Sequence, residues 1–323
     1  MPSQTIEILS EPRHVCKACG GSCQGNIVRL LDDAEETRIR EAAETLGVED
    51  AIADGHLRME GGKCVFLAAD NLCDIHRALG ATTKPVVCQQ YPMIAVRVED
   101  KLRVGLDPGC YTSIQTWRDG PLVPESKLVA SKVTLPEDQC PVEEGLLDLC
   151  SIEGVTVARV VTALTGEQPP EDSAGLPPAF AKRLVIRLQA AALQPLLDLP
   201  DTAPLIRHTL TPVVSAIAEW NPEDPPSWPA LGPEEEAYAI GAMRRMLYLR
   251  LAHGIPIVTG VALIAVVGVI TCAWATRDPH TFGAALAAWC RAMRAPAFWR
   301  EITPDPVRMT WLARGRTPEN LEG

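Results

Sequence analysis

The sequence predicts a mainly α protein: a small cysteine-rich α+β metal-binding domain, followed by an all-α helical domain. Three observations carry that expectation. Seven of the eleven cysteines (Cys16, Cys19, Cys23, Cys64, Cys73, Cys88 and Cys110) lie in the first third of the chain, among short mixed elements. From Val142 onward the apolar residues recur almost wholly at helical spacing. Aromatics are only 5% of the residues, and Ala, Val, Leu and Ile supply most of the apolar mass. The 323 residues leave room for two ordinary domains, and 47% hydrophobic with 22% charged residues excludes wholesale disorder. A net charge of −11 argues against nucleic-acid binding driven by overall charge.

In chain order, the opening MPSQTIEILSEPRHVC has acids and a proline and no apolar run of signal-peptide type. A cytoplasmic protein is therefore expected, in which clustered thiols read as metal ligands or redox groups rather than disulfides. The cysteine-cluster domain is placed at residues 1–120. Within it, Asp32 to Leu46 reads as a helix, with acids in its first turn, Ile39, Ala42, Ala43 and Leu46 on one face, and Gly47 as its stop. Cys64-Val-Phe-Leu reads as a short buried strand. Met93 to Leu106 reads as a hairpin around the polar turn Glu99-Asp100-Lys101.

Residues 121–141, rich in Pro, Ser and Lys, are expected to link this domain to a helical domain at 142–323. Helices are expected at about 142–150, 152–165, 178–199, 203–220, 233–252, 257–275, 281–293 and 305–313. Gly254 to Thr276 carries no charge and is long enough to cross a bilayer. Pro256 in its first turn, the missing Trp/Tyr belt and the amphipathic neighbours favour a buried central helix, packed by the helices at 178–199, 203–220 and 233–252. The other reading is a membrane-tethered metal or redox protein.

The cysteine spacing is the most specific signal. Cys16-Lys-Ala-Cys19-Gly-Gly-Ser-Cys23 can close three thiolates on one metal, with Gly20 and Gly21 allowing a sharp turn. Cys64, Cys73, Cys88 and Cys110 follow singly, each beside a turn, Gly or Pro. Seven thiols exceed the four a tetrahedral zinc uses. They suit one four-cysteine iron–sulfur cluster with spare thiols, or two metals, and both zinc and iron–sulfur accept four thiolates. The single C-x2-C pair favours iron–sulfur over zinc.

CKACGGSC, the acid-led helix after it, CVFL, LCDIH and KPVVCQQYP together resemble the YkgJ-like cysteine-cluster family, a zinc- or iron-chelating domain that includes the flagellin lysine N-methylases. The resemblance spans about residues 14–115 and lies nearest the flagellin-methylase branch. It implies a bound metal or cluster (a 4Fe-4S cluster or zinc) at Cys16, Cys19, Cys23, Cys64, Cys73, Cys88 and Cys110. It also implies, as an alternative function, a protein-lysine N-methyltransferase using S-adenosylmethionine on a flagellin-like protein. Many members carry adjacent cysteines at the third position of the first run, where this chain reads Cys23-Gln24.

Other candidates carry less. His76, three residues after Cys73, can ligate a metal or donate to a thiolate, but with thiols plentiful it reads as a backbone-satisfied histidine. His14 is a weaker ligand candidate by spacing. Tyr91-Pro92 reads as packing beside the cluster. Asp32, Asp33, Glu35 and Glu36 could suggest a hard-cation site, but read as complementing a helix dipole. Cys140 and Cys150 read as spare thiols, and Cys272 and Cys290 as core. No phosphate loop, G-x-G-x-x-G turn or G-x-S-x-G elbow is present, so no catalytic residue is assigned. The leading expectation is a cytosolic metalloprotein without nucleic-acid or membrane partners.

Overall fold

The computed structural model describes residues 5–9, 13–17, 19–98, 101–116, 120–122, 130–135, 140–167, 175–229, 231–249, 251, 259–276 and 279–302. The chain is mainly α, with a few small sheets, and divides into two compact units. The first comprises Met1–Thr134 together with Asp198–His208; the second comprises Leu135–Leu197 and Thr209–Gly323.

The first unit begins with β1 (Thr5–Ile8), then a 3-10 turn at Gly21–Cys23 and helix α1 (Asp33–Leu46). Helix α1 forms as its sequence predicts. The Asp32 side chain accepts the Glu35 amide at its start, and Gly47 closes it at φ 69°, a conformation most side chains avoid. Its Ile39, Ala42 and Ala43 bury into an apolar cluster with Val28, Leu30, Ala51, Leu57, Phe66 and Ile75. Two minimal hairpins follow: β2 (Ile52–Ala53) with β3 (His56–Leu57), and β4 (Met59–Glu60) with β5 (Lys63–Cys64). The strand expected at Cys64–Leu67 is thus cut short at Cys64. A turn with Leu67 N–H donating to Cys64 C=O (2.9 Å) swings Phe66 into the cluster, where it is 1% exposed.

Short helices α2 (Asp74–Leu79) and α3 (Val86–Gln90) come next, separated by a 3-10 turn at Ala81–Thr83. The expected hairpin is present as β6 (Met93–Val98) and β7 (Lys101–Leu106), in register from Met93↔Leu106 to Val98↔Lys101. Its turn residues 99–100 lie outside the described residues. The peptide bond entering β6, Tyr91–Pro92, is cis. Met93, Ala95, Leu102, Val104 and Leu106 form a second small core. After helix α4 (Ser113–Thr116), β8 (Ala130–Leu135) completes a sheet ordered β1-β7-β6-β8, with β1 parallel to β7. Residues 130–135 were expected in a connecting loop. Their alternation is short and half polar, so the free edge of β6 rather than local pattern makes them a strand.

The second unit is helical: α5 (Cys140–Leu149), α6 (Val157–Thr165), α7 (Pro178–Gln189), α8 (Leu193–Leu197), α9 (Pro204–Glu219, whose first turn belongs to the first unit), α10 (Pro233–Tyr248), α11 (Thr259–Thr276), α12 (Pro279–Ala292) and α13 (Pro296–Ile302). The single helix expected at 178–199 is two. Pro195 has no N–H to give the Ala191 carbonyl, so the chain restarts at Leu193 with Pro195 in a first turn. Pro296 follows the end of α12 and opens α13, where a missing N–H costs nothing. The helix expected at 152 starts at Val157, capped by Thr156. The helix expected at 305–313 lies outside the described residues.

Helix α11 is a core helix, its residues 265–274 all buried. Its main neighbours are α12, α10, α6 and α5, so of the three covering helices expected only that at 233–252 is a principal partner. No helix among the described residues is long and apolar enough to cross a membrane, so the tether reading of 254–276 gains no support. Residues 252–258 lie outside the described residues.

Candidate metal centre

Four of the seven predicted cysteines share one neighbourhood. Cys23 ends the 3-10 turn, where its amide donates to the Gly20 carbonyl (3.0 Å) and Gly20 takes φ 65°. Cys64 ends β5, Cys73 immediately precedes α2, and Cys88 sits in the middle of α3. Cys64, Cys73 and Cys88 all pack on the rim of the apolar cluster around Ile39 and Phe66. All four thiols are partly buried. Burial foremost pushes the Cys64 thiol up to about 12; the Phe66 amide, bonded to it, opposes this, and Cys23 and Cys73 add to it. Burial likewise raises Cys88, with Cys23, Cys64 and Cys73 adding to the rise and the Lys84 ammonium opposing it. Cys64 and Cys88 therefore each lie within reach of Cys23 and Cys73.

The other three predicted ligands are placed as follows. Cys16 is exposed, and the chain just before it is tied to residues 120–122. There His14 N–H donates to the Pro121 carbonyl (2.9 Å), and Arg13 donates to the Gly120 carbonyl (3.2 Å). Cys19 is half-buried, its sulfur beside Gly21 in the turn that carries Cys23. Cys110 is buried in the turn after β7, with Sγ 3.4 Å from Thr112 Oγ1. That turn is built by Asp107, whose Oδ1 accepts the Gly109 amide (2.7 Å) and whose carbonyl accepts the Cys110 amide (3.1 Å). His76 is exposed on α2. His14 has Nδ1 3.4 Å from Thr116 Oγ1, and burial lowers its pKa.

The donor set fits a thiolate-ligated metal. A cation would favour the ionised form of thiols that burial and mutual repulsion now hold protonated. Among the described residues no three His, Cys, Asp or Glu side chains already stand in a metal-ready group. Closing the quartet on an ion therefore requires the side chains to draw inward.

Sequence reasoning missed how α3 is held. Glu35, assigned to dipole complementation, is 2% exposed. Its Oε2 accepts the Leu31 amide (2.7 Å), and its Oε1 accepts the Val86 amide (2.6 Å) and an Arg38 N–H (3.3 Å). One carboxylate thus caps α1 and anchors the first residue of α3, two residues before Cys88. The D-x-x-E spacing of Asp32 and Glu35 signalled the cap. Nothing local signalled the bond to Val86, 51 residues away.

Three cysteines thus come from separate elements to one apolar rim, and Cys23 acts on the thiols of Cys64 and Cys88. Residues 15–111 match the CxxCxxCC family model, described as "Putative zinc- or iron-chelating domain". The match supports the cysteine-cluster family for that region. No curated protein and no solved structure matches the chain. Laid on Cys16 and Cys19, the pattern in the family's name falls next on positions 22 and 23, which here are Ser22 and Cys23. The missing thiol is therefore at Ser22, not at Gln24 as the sequence reading had it.

Proposed function

We propose that this chain is a metalloprotein whose cysteine unit holds an iron–sulfur cluster, in preference to zinc, through Cys23, Cys64, Cys73 and Cys88. One observation carries the reading: Cys23, Cys64 and Cys73 all lie within reach of the Cys88 thiol, and the four arrive from a 3-10 turn, a hairpin end, a helix N-terminus and a helix interior. No two of them form a C-x2-C knuckle, the local pair structural zinc sites typically use, whereas iron–sulfur clusters accept widely separated thiolates. When bound, such a cluster supplies one-electron transfer. The protein's own part is to hold and shield the sulfurs. Phe66 N–H donates to the Cys64 sulfur, Lys84 places a positive charge near Cys88, and the Ile39–Phe66 cluster lowers the local polarity.

The test is anaerobic purification and reconstitution of the full chain with ferrous iron and sulfide. Iron and acid-labile sulfide should then be recovered with a visible charge-transfer absorption. Cys23→Ser, Cys64→Ser, Cys73→Ser and Cys88→Ser should each abolish it, while Cys290→Ser should leave it intact. Stoichiometric zinc without that absorption would refute the iron–sulfur choice. Loss in Cys16→Ser with retention in Cys88→Ser would refute the quartet.

A further inference from the structure

Residues 198–208 come from far along the chain, yet they are built into the cysteine unit. They press on two spots beside two of the four thiols. Gln24, adjacent to Cys23 and only 6% exposed, accepts the Leu205 amide through Oε1 (3.2 Å). Gly62, two residues before Cys64, lies so close to the segment that an added Cβ would stand 2.7 Å from Ala203 Cα and 2.9 Å from Ala203 N. At Gly25 an added Cβ would meet Ala203 Cβ and Ile206 Cδ1, both at 3.0 Å. The two spots are themselves joined: Gln24 bridges to Lys63, and Gly25 N–H donates to the Gly62 carbonyl (3.0 Å).

The geometry points to residues 198–208 as a positioning wall of the metal centre, with Gln24 as its polar latch, so that metal loading and docking of this segment are one coupled event. The inference rests on the quartet reading above. Cys23 and Cys64 are carried by the two pieces of backbone that the segment clamps. Ordering them lowers the cost of drawing the sulfurs together, and by linkage a bound metal must tighten the segment by the same factor. Helix α9 starts within the segment, at Pro204.

Neighbouring glycines supply the test. Gly61 and Gly62 both have positive φ (54° and 75°), so either becomes strained on substitution. A Cβ on Gly61 meets nothing within 4 Å, whereas one on Gly62 meets backbone of the segment. Full-length Gly61→Ala and Gly62→Ala would be titrated with Zn(II) against a chromophoric chelator, and amide exchange at 203–207 followed with and without Zn(II). The expected result is slower exchange at 203–207 in the wild type and Gly61→Ala on adding Zn(II). Gly62→Ala should exchange fast and bind Zn(II) about 10–100-fold more weakly than Gly61→Ala, the usual effect of losing support behind metal ligands. Gln24→Leu, similar in size but without the acceptor, should change in the same direction.

Equal Zn(II) affinity in the two glycine variants, or Zn(II)-independent exchange at 203–207 in the wild type, overturns the coupling and leaves the quartet standing. A wild type that binds no Zn(II) and no reconstituted cluster overturns both.

Discussion

Replacing Glu35 removes one carboxylate that serves two backbones. In Glu35→Ala the amides of Leu31 and Val86 lose acceptors at 2.7 and 2.6 Å, inside a partly buried site. An unsatisfied buried donor costs about 1–3 kcal/mol, so the pair sets a loss of roughly 2–6 kcal/mol in unfolding free energy. Glu35→Gln keeps one acceptor oxygen and turns an NH2 toward the other amide, so it should lose about half as much. Because Val86 opens the helix that holds Cys88, both variants should also weaken Zn(II) binding, Glu35→Ala by about 10–100-fold. Urea denaturation of metal-free protein measures the first effect, and chelator competition measures the second. A Glu35→Ala protein within about 0.5 kcal/mol of wild type, as an ordinary surface change would be, with unchanged Zn(II) affinity, would refute this account of Glu35.

Other consequences follow from burial. The ordinary thiol value of 9.0 is pushed to about 12 at Cys64 and about 11 at Cys150, so the folded, metal-free protein holds these protons after the unfolded chain has released them. Their contribution to stability is complete below about pH 9 and falls as pH rises toward 12, by about 1.4 kcal/mol per pH unit for each such thiol. The urea midpoint of reduced, metal-free protein should therefore drop between pH 8 and 10.5, and a constant midpoint would contradict the burial of these thiols. In the helical unit, a Cβ at Gly268 of α11 would stand 2.5 Å from Cδ1 and 2.6 Å from Nε1 of the fully buried Trp289 on α12. Gly268→Ala should cost about 1–3 kcal/mol of stability through overpacking, checked by thermal or urea unfolding, and a neutral result would show that α11 and α12 do not approach so closely.

Helix α1, the β6–β7 hairpin and most of the later helices were legible because their determinants are local: apolar periodicity, an Asp cap, a glycine stop, alternation around a polar turn. The expected helix at 178–199 failed at Pro195, where the pattern of apolar residues continued but the backbone could not. Strands β1 and β8 gave too little pattern to see, since each exists by pairing with the β6–β7 hairpin. The cysteine motifs marked the region and its chemistry. Spacing could not show that Cys64, Cys73 and Cys88 line one apolar rim, because that depends on how α2, α3 and β5 pack around Ile39 and Phe66.

The sequence by itself determined the local elements and the class of ligand, since both depend on residues within a turn or two of each other. Only the tertiary structure decided that Glu35 holds Val86, that Cys23, Cys64, Cys73 and Cys88 share a neighbourhood, and that residues 198–208 complete the cysteine unit. Those choices are contacts between segments tens to more than a hundred residues apart. They are made by packing and by the need to satisfy buried backbone amides, which no local pattern records.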